Sequence, residues 1–398
     1  MSEKKLRISI LGGGFGGFYT AKRLSELPWD SSPEIVLIDK SDRFLFSPLL
    51  YELVTGEMSP WEIAPSFTEI LAHTSITFSQ SLVTGIDVEN STIHLDNQPS
   101  LGYDKLVIAL GGSTPTNQVP GAEEYTIPFH SLQDAQRLCE RLRALERSKT
   151  ENIRVAVVGG GYSGVELACK LADRLGKKAK LRLIQRGDKI LPRASEFNRN
   201  AAQEALESRK VWLDLETEVC KIDADSISLS YKGQIDTIPV DLVLWTVGTR
   251  VPELIQNLPL KKDHRGTLTT TSTLQVAEQL HIFALGDIAN CKDATGLEVP
   301  ATAQAAFQQA DYCAWNIWAS ITKRPLLPFR YQNLGEMLTL GADNAALAGL
   351  GIQLDGPLGY IARRLIYLYR LPSLKHQLKV GLNWVAAPII DSLNINPS

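Results

Sequence analysis

No C-x-x-C occurs in this chain. Its five cysteines, Cys139, Cys169, Cys220, Cys291 and Cys313, are scattered along it. An odd, dispersed set suits small buried hydrophobes in a reducing compartment, not a disulfide framework. No metal site is read from the sequence. Charge of one sign is also lacking: 41 Lys and Arg oppose 44 Asp and Glu, a net of −3. There is no basic excess to hold nucleic acid and no acidic tail to act as a solvating arm. No uncharged apolar run reaches the ~18 residues of a spanning helix. Met1–Arg7 is short and polar with no cleavage-site pattern, so no signal peptide is expected. The expectation is a soluble or peripheral protein. At 398 residues the chain exceeds one compact core, which implies two or three domains.

What is present is an internal echo. Leu6–Leu11 reads as a buried strand, followed by Gly12-Gly13-Gly14-Phe15-Gly16-Gly17 and a helical stretch to Leu27. Ile153–Val158 reads as another, followed by Gly159-Gly160-Gly161-Tyr162-Ser163-Gly164 and a helix to about Leu175. Each unit then runs into a further strand, Glu34–Asp39 and Lys180–Gln185. Strand, G-x-G-x-x-G, helix, strand is the βαβ unit of dinucleotide binding. The expected fold class is α/β, with two Rossmann-like dinucleotide-binding domains, one nested in the other, and a C-terminal amphipathic helical region. Strand ends in glycine recur at Gly111, Gly248 and Gly286, and the last lies beyond the second unit. The expected domains are therefore 1–118 with 251–325, then 119–250, then 326–398.

In each unit the first glycine permits a tight turn, the second lets backbone approach a pyrophosphate, and the third allows close helix packing. These roles fall to Gly12, Gly14 and Gly17, and to Gly159, Gly161 and Gly164. The phosphates then meet a helix N-terminus. Asp39 ends the second strand of the first unit and suits a cofactor with free ribose hydroxyls, FAD or NAD. The second unit ends in Gln185-Arg186, with no carboxylate to repel a 2′-phosphate, which leans towards NADPH or use of both NADPH and NADH. Arg186 is alternatively a solvated surface residue. Two nicotinamide sites alone would lack an electron mediator, so one site is read as FAD. Gly286-Asp287 places it in the first domain, with Asp287 on the ribityl chain. Pro300–Ala306 reads as a helix start with Pro in its first turn, aimed at the flavin. Phe15, Lys40, Gly111, Ala303, Gln304 and Gly248 complete the expected cofactor-binding set.

The stretch Phe44–Glu52, where disulfide reductases of this architecture carry a cysteine pair, reads Phe-Leu-Phe-Ser-Pro-Leu-Leu-Tyr-Glu. It resembles the F-x-P-L-L-Y-E signature of type II NAD(P)H:quinone oxidoreductases. Gly159–Ala168 and Ala303–Gln309 (AQAAFQQ) resemble further motifs of that family, as does the tail Arg363–Trp384. Leu27-Pro28-Trp29, Trp61–Pro65, Trp245–Gly248, Asp311–Asn316 and His376–Trp384 resemble its cyanobacterial and plastid branch. That branch is linked to demethylphylloquinone reduction in phylloquinone biosynthesis. The resemblance implies FAD-mediated electron transfer from NAD(P)H to a membrane naphthoquinone, with no proton pumping. It implies Glu166 near nicotinamide and flavin, and Gln304 and Gln308, four apart on one helix face, at the quinone. The bland readings are a dipole-favoured carboxylate for Glu166 and a surface polar residue for Gln308. Gln185 departs from the acidic residue common in the family.

The tail carries five Lys/Arg against two Asp from Asp355 onward. Leu358–Leu371 and Leu374–Val385 read as basic amphipathic helices, suited to an anionic membrane surface; core helices or a homodimer interface are the alternatives. The expected location is cytoplasmic, peripheral on the cytoplasmic face of a thylakoid or plasma membrane. Rival functions are a respiratory-type plastoquinone or ubiquinone reductase, a soluble ferredoxin-type reductase, and a flavin-bound redox sensor.

Overall fold

The computed structural model describes residues 5–148 and 152–393, with side chains to 386. Met1–Lys4 of the N-terminal stretch, 149–151 of the expected nucleotide domain and 394–398 of the tail lie outside the described residues. Ten strands build two five-stranded parallel sheets. They are β1 (Arg7–Leu11), β2 (Glu34–Asp39), β3 (Ile76–Gln80), β4 (Lys105–Ile108), β5 (Thr126–Pro128), β6 (Ile153–Val158), β7 (Ala179–Ile184), β8 (Trp212–Asp214), β9 (Leu242–Trp245) and β10 (Ile282–Ala284). The helices that matter below are α1 (Phe15–Glu26), α2 (Glu52–Thr55), α3 (Tyr162–Leu175), α4 (Ala303–Ile321), α5 (Gly356–Arg370) and α6 (Leu374–Leu393).

The first sheet has the order β10-β4-β1-β2-β3 and the second β8-β7-β6-β9-β5. β1 pairs Leu11 with Ile38 and Ile108; β6 pairs Val158 with Ile184 and Trp245. In each sheet the strand before the glycine loop is central, and the chain leaves it to opposite sides. Doubly wound sheets bind ligands at this switch point, at the carboxyl ends of the strands. Central parallel strands are covered on both faces, so they read as continuous apolar runs. Ile8, Ile10 and Leu11 are wholly buried, as is Val157. The expected two-domain α/β fold is borne out.

Two compact units result: Met1–Leu45, Pro65–Ser113 and Thr249–Gln332 form the first; Phe46–Ala64, Thr114–Gly248 and Asn333–Ser398 form the second. The division differs from the sequence reading at 46–64, at 114–118, at 249–250 and in the tail. Residues 46–64, expected in the first domain, group with the second unit. The tail, expected as a separate region from 326, is divided: 326–332 group with the first unit, and from Asn333 on it joins the second. It enters through the antiparallel sheet β11 (Glu336–Thr339), β12 (Ala345–Gly349) and β13 (Ile352–Leu354), against which α5 packs. Buried charge contacts described below are the physical cause. Among the described residues no helix is long and apolar enough to cross a membrane.

Candidate active site

The two glycine loops are near copies. Gly12 has φ +98° and Gly159 φ +111°, a left-handed turn that glycine adopts without strain. Gly12 N–H donates to Ile38 O and Gly159 N–H to Ile184 O, both at 2.8 Å. A Cβ on Gly17 would stand 1.8 Å from Gly12 O, and one on Gly164 would stand 1.8 Å from Gly159 O. Helix and loop therefore touch backbone to backbone. Gly14 and Gly161 are the opposite case: a Cβ on either meets no atom within 4 Å. Each of these two is also the N-cap of its helix, with no side-chain cap and no acidic residue in the first turn. By contrast, Ser131, Ser195 and Thr302 cap their own helices with side-chain oxygens. Uncapped N–H groups beside open space suit an anionic phosphate. Both loops pass this fit for a pyrophosphate.

The side chain at the carboxyl end of each second strand closes the same contact. Asp39 Oδ2 accepts from Gly13 N–H at 2.6 Å, and Gln185 Oε1 accepts from Gly160 N–H at 2.9 Å. Asp39 Oδ1 also accepts from Ser41 N–H at 2.7 Å. Burial raises the Asp39 pKa, and these N–H groups oppose the rise. Gln185 leaves its NH2 as a donor. Phe15 opens α1 with its ring against Tyr19 and Phe44. Lys40 is exposed and its carbonyl accepts from Gln80. Gly111 and Gly248 have φ +66° and +77° after β4 and β9. Arg186 is 83 % exposed, with Glu218 4.0 Å away.

Asp287 lies in the short turn Gly286–Ile288 after β10. Gln309, wholly interior, accepts from Gly286 N–H at 2.9 Å and fixes that turn to α4. Sequence reasoning quoted Gln309 inside AQAAFQQ without giving it this role. Helix α4 begins at Ala303 with Thr302 as its cap, so Pro300 stands outside the first turn, a correction to the expected helix start. A Thr hydroxyl accepts the orphan N–H of Ala305, which proline cannot do. Gln304 Oε1 accepts from Tyr331 Oη at 3.0 Å. Gln308 makes a reciprocal pair with the Gln332 backbone, at 2.8 and 3.0 Å. Both ends of that amide hold a loop in place.

In the second unit, Glu166 is the centre of an unexpected arrangement. It stands in α3 almost fully buried, and its Oε1 accepts from Thr339 N–H at 2.9 Å. Burial pushes its pKa up to about 7, against the pull of Arg363 and the Thr339 N–H. Arg363, in α5 and wholly buried, lies 3.9 Å from Glu166 and donates to Glu52 Oε1 at 2.6 Å and Pro48 O at 2.7 Å. Lys170, also wholly buried, bonds Glu52 and Glu57. Burial alone would raise the Glu52 pKa, yet Arg363 and Lys170 together hold it down at about 2. Thus Pro48 and Glu52 of the Phe44–Glu52 signature receive the tail. Arg363, Lys170 and Glu57 were missed, because isolated charges read as solvated.

Helix α5 buries polar side chains. Helix α5 turns Gly359, Tyr360, Arg363 and Tyr367 inward and leaves Leu358, Ile361, Leu365 and Tyr369 exposed. In α6, Leu374, Leu378, Leu382 and Val385 are exposed. Helix α6 is attached through Glu62: His376 Nε2 donates to its carbonyl at 2.7 Å, and Asn383 and Trp384 donate to its Oε1 at 3.2 and 3.0 Å.

Two parallel-sheet units, each with an open phosphate loop at its switch point, define a protein built to hold two dinucleotides. All five cysteines are free. The chain belongs to the pyridine nucleotide-disulphide oxidoreductase family, which matches residues 6–310. It is 55% identical to the demethylphylloquinone reductase NdbB of Synechocystis sp., over 100% of both chains. It is 43% identical to the alternative NAD(P)H-ubiquinone oxidoreductase C1, chloroplastic/mitochondrial, of Arabidopsis thaliana, over 98% of this chain and 82% of that one. Its fold is similar to the solved structure of NDH2 from Plasmodium falciparum in complex with NADH (TM-score 0.86, 20% identity, 96% and 98% of the two chains). The resemblance read from the motifs is borne out.

Proposed function

We propose that the protein is an FAD-dependent reductase that moves two electrons from NAD(P)H to a membrane naphthoquinone of the demethylphylloquinone type. The observation that carries the membrane part is the apolar stripe at 358, 361, 365 and 369, continued at 374, 378, 382 and 385 and turned to solvent. A core helix turns such a stripe inward. Here it faces outward, with the exposed Lys375 and Lys379 beside it, as in a helix lying on an anionic bilayer. A long-chain quinone stays in the bilayer, so the reductase must meet it there.

In this reading the first unit holds FAD. Gly14 admits the pyrophosphate, Asp39 accepts from the ribose hydroxyls, and Asp287 accepts from the ribityl chain. Bound flavin supplies the two-electron chemistry that links NAD(P)H to the quinone. In the second unit Gly161 admits the nicotinamide dinucleotide. Glu166 accepts from the Thr339 N–H through Oε1, and burial pushes its pKa up to about 7, which leaves it able to hold a proton near neutrality. A carboxyl so poised can hand a proton to a quinone oxygen as charge develops there. Gln304 and Gln308 order the approach, Gln308 by holding the Gln332 segment.

The test is anaerobic mixing with NADPH or NADH, followed at the flavin absorption band, and then addition of a naphthoquinone. Bleaching and rapid recovery are expected. Bleaching without recovery would leave a reductase for a protein acceptor. The double variant Leu378→Glu/Leu382→Glu should keep activity with a soluble naphthoquinone and lose it with a vesicle-embedded one. Equal activity with both would reject membrane docking, and a dimer that covers the stripe would give it to a second copy instead.

The Gln185 NH2 donates where Asp39 has a second acceptor, which favours a 2′-phosphate over a 2′-hydroxyl. Gln185→Glu should shift the NADPH/NADH ratio of kcat/KM towards NADH by roughly tenfold (~1.4 kcal/mol). An unchanged ratio would place the 2′ position elsewhere.

A further inference from the structure

We propose that Glu57 and Lys170 set the protonation of Glu166, because three carboxyls compete for two buried cations and the one with the poorest ionic contact keeps a proton. Lys170 is wholly buried and bonds both Glu52 and Glu57. Arg363 is wholly buried, 2.6 Å from Glu52 and 3.9 Å from Glu166. Glu52 thus takes both cations, Glu57 takes one, and Glu166 has a distant cation and a neutral N–H. Three carboxylates against two cations leave one excess negative charge, and a buried net charge is expensive. One proton removes it.

Among the described residues no other charged side chain bonds these five groups directly. Glu166 faces Tyr162, Cys169 and Lys170 from its own helix, Tyr51 and Glu52 from the signature segment, Arg363 and Tyr367 from α5, and the Thr339 N–H from β11. The tyrosines and the cysteine have raised pKa values from burial and stay neutral. Glu57 faces Glu52, Lys170, the Thr55 hydroxyl and Tyr360. Arg364, half-buried, spends its contact on the Tyr360 hydroxyl and on the Trp384 ring, 4.3 Å away. Burial and the Glu52 charge raise the Glu57 pKa, and Lys170 opposes them. Glu57 is the carboxyl of the set nearest solvent, with 15 % of its side chain exposed against 2 % for Glu52 and 9 % for Glu166.

Glu57 and Lys170 are positioning residues in this account: neither meets substrate. Neutralising Glu57 turns Lys170 wholly to Glu52 and releases Arg363 towards Glu166, which then ionises more readily. Neutralising Lys170 does the reverse. The proposed function enters only in what the proton is for; the titration itself needs no quinone.

The experiment is an infrared pH titration of the full-length, FAD-loaded protein without quinone. The Glu166 signal is the carboxylic-acid C=O stretch that disappears in Glu166→Gln. Its wild-type midpoint is expected near 7. In Glu57→Gln the midpoint should fall by at least about one unit, and in Lys170→Met it should rise by a similar amount. If Lys170→Met does not fold, Glu57→Gln decides alone. An unchanged midpoint in Glu57→Gln overturns the proposal, as does a wild-type spectrum that loses no acid band on Glu166→Gln. A shifted midpoint in a protein that fails to reduce naphthoquinone would sink the proposed function and leave this inference standing.

Discussion

Arg363→Met should cost about 3–5 kcal/mol of stability, the loss expected when one partner of a buried ion pair is removed. Methionine fills much of the space without strain. What it leaves behind is Glu52 with Lys170 alone, Glu166 with a single N–H, and the Pro48 carbonyl without its donor. The cation–π contact with Tyr367, 4.9 Å from the guanidinium, goes too. Denaturant unfolding measures the cost. Adding Glu52→Gln to the variant should recover part of it, since a pair removed on both sides leaves less uncompensated charge. A cost below about 1 kcal/mol, the level of an exposed pair, would show that the charges are solvated. The same set makes stability depend on pH in two opposed ways. Glu52, depressed to about 2 from 4.5, contributes stability above 4.5 that is lost as pH falls through 2. Glu166, raised to about 7 from 4.5, contributes below 4.5, and that contribution is lost as pH rises through 7.

Gly14→Val should give a folded, colourless protein. The backbone there, φ −74° and ψ −165°, accepts any residue, and the added atoms meet no protein atom. They would fill the open space proposed for the pyrophosphate at the α1 N-terminus, so flavin retention should fall to nothing measurable. Gly17→Ala is the contrast. Its Cβ would sit 1.8 Å from Gly12 O, so the loop itself must break and circular dichroism should report misfolding. A yellow, fully loaded Gly14→Val would remove FAD from this loop.

The glycine loops, their strands and the residues at the β2 and β7 ends were legible in sequence because they are local. A turn of fixed length, a buried run before it and a carboxylate or amide after it all fall within one βαβ unit. The charge set was not legible. Its members come from 52–57, 166–170 and 363, and nothing local distinguishes Lys170 in YSGVELACKLADRL from a lysine on a wet helix face. Only the fold brings a second carboxylate to it. The tail was half legible. Its periodicity was plain, but which side faces inward depends on Arg363 and Tyr360, whose polar ends find partners inside. Gln308 illustrates the converse: its place in a motif suggested substrate contact, while its amide is engaged with the Gln332 backbone.

The joining of α5 to the Glu52 signature has a practical side for anyone producing this enzyme. Trimming the C-terminus is the usual way to make a greasy-tailed protein easier to purify. Here a stop codon before Arg363 would take away the counter-ion of the signature segment along with the greasy surface, and the shortened product would be damaged inside as well as cleaned outside. Polar substitutions on the outward leucines keep the interior intact, and they are the safer route to a soluble preparation for crystals or assays.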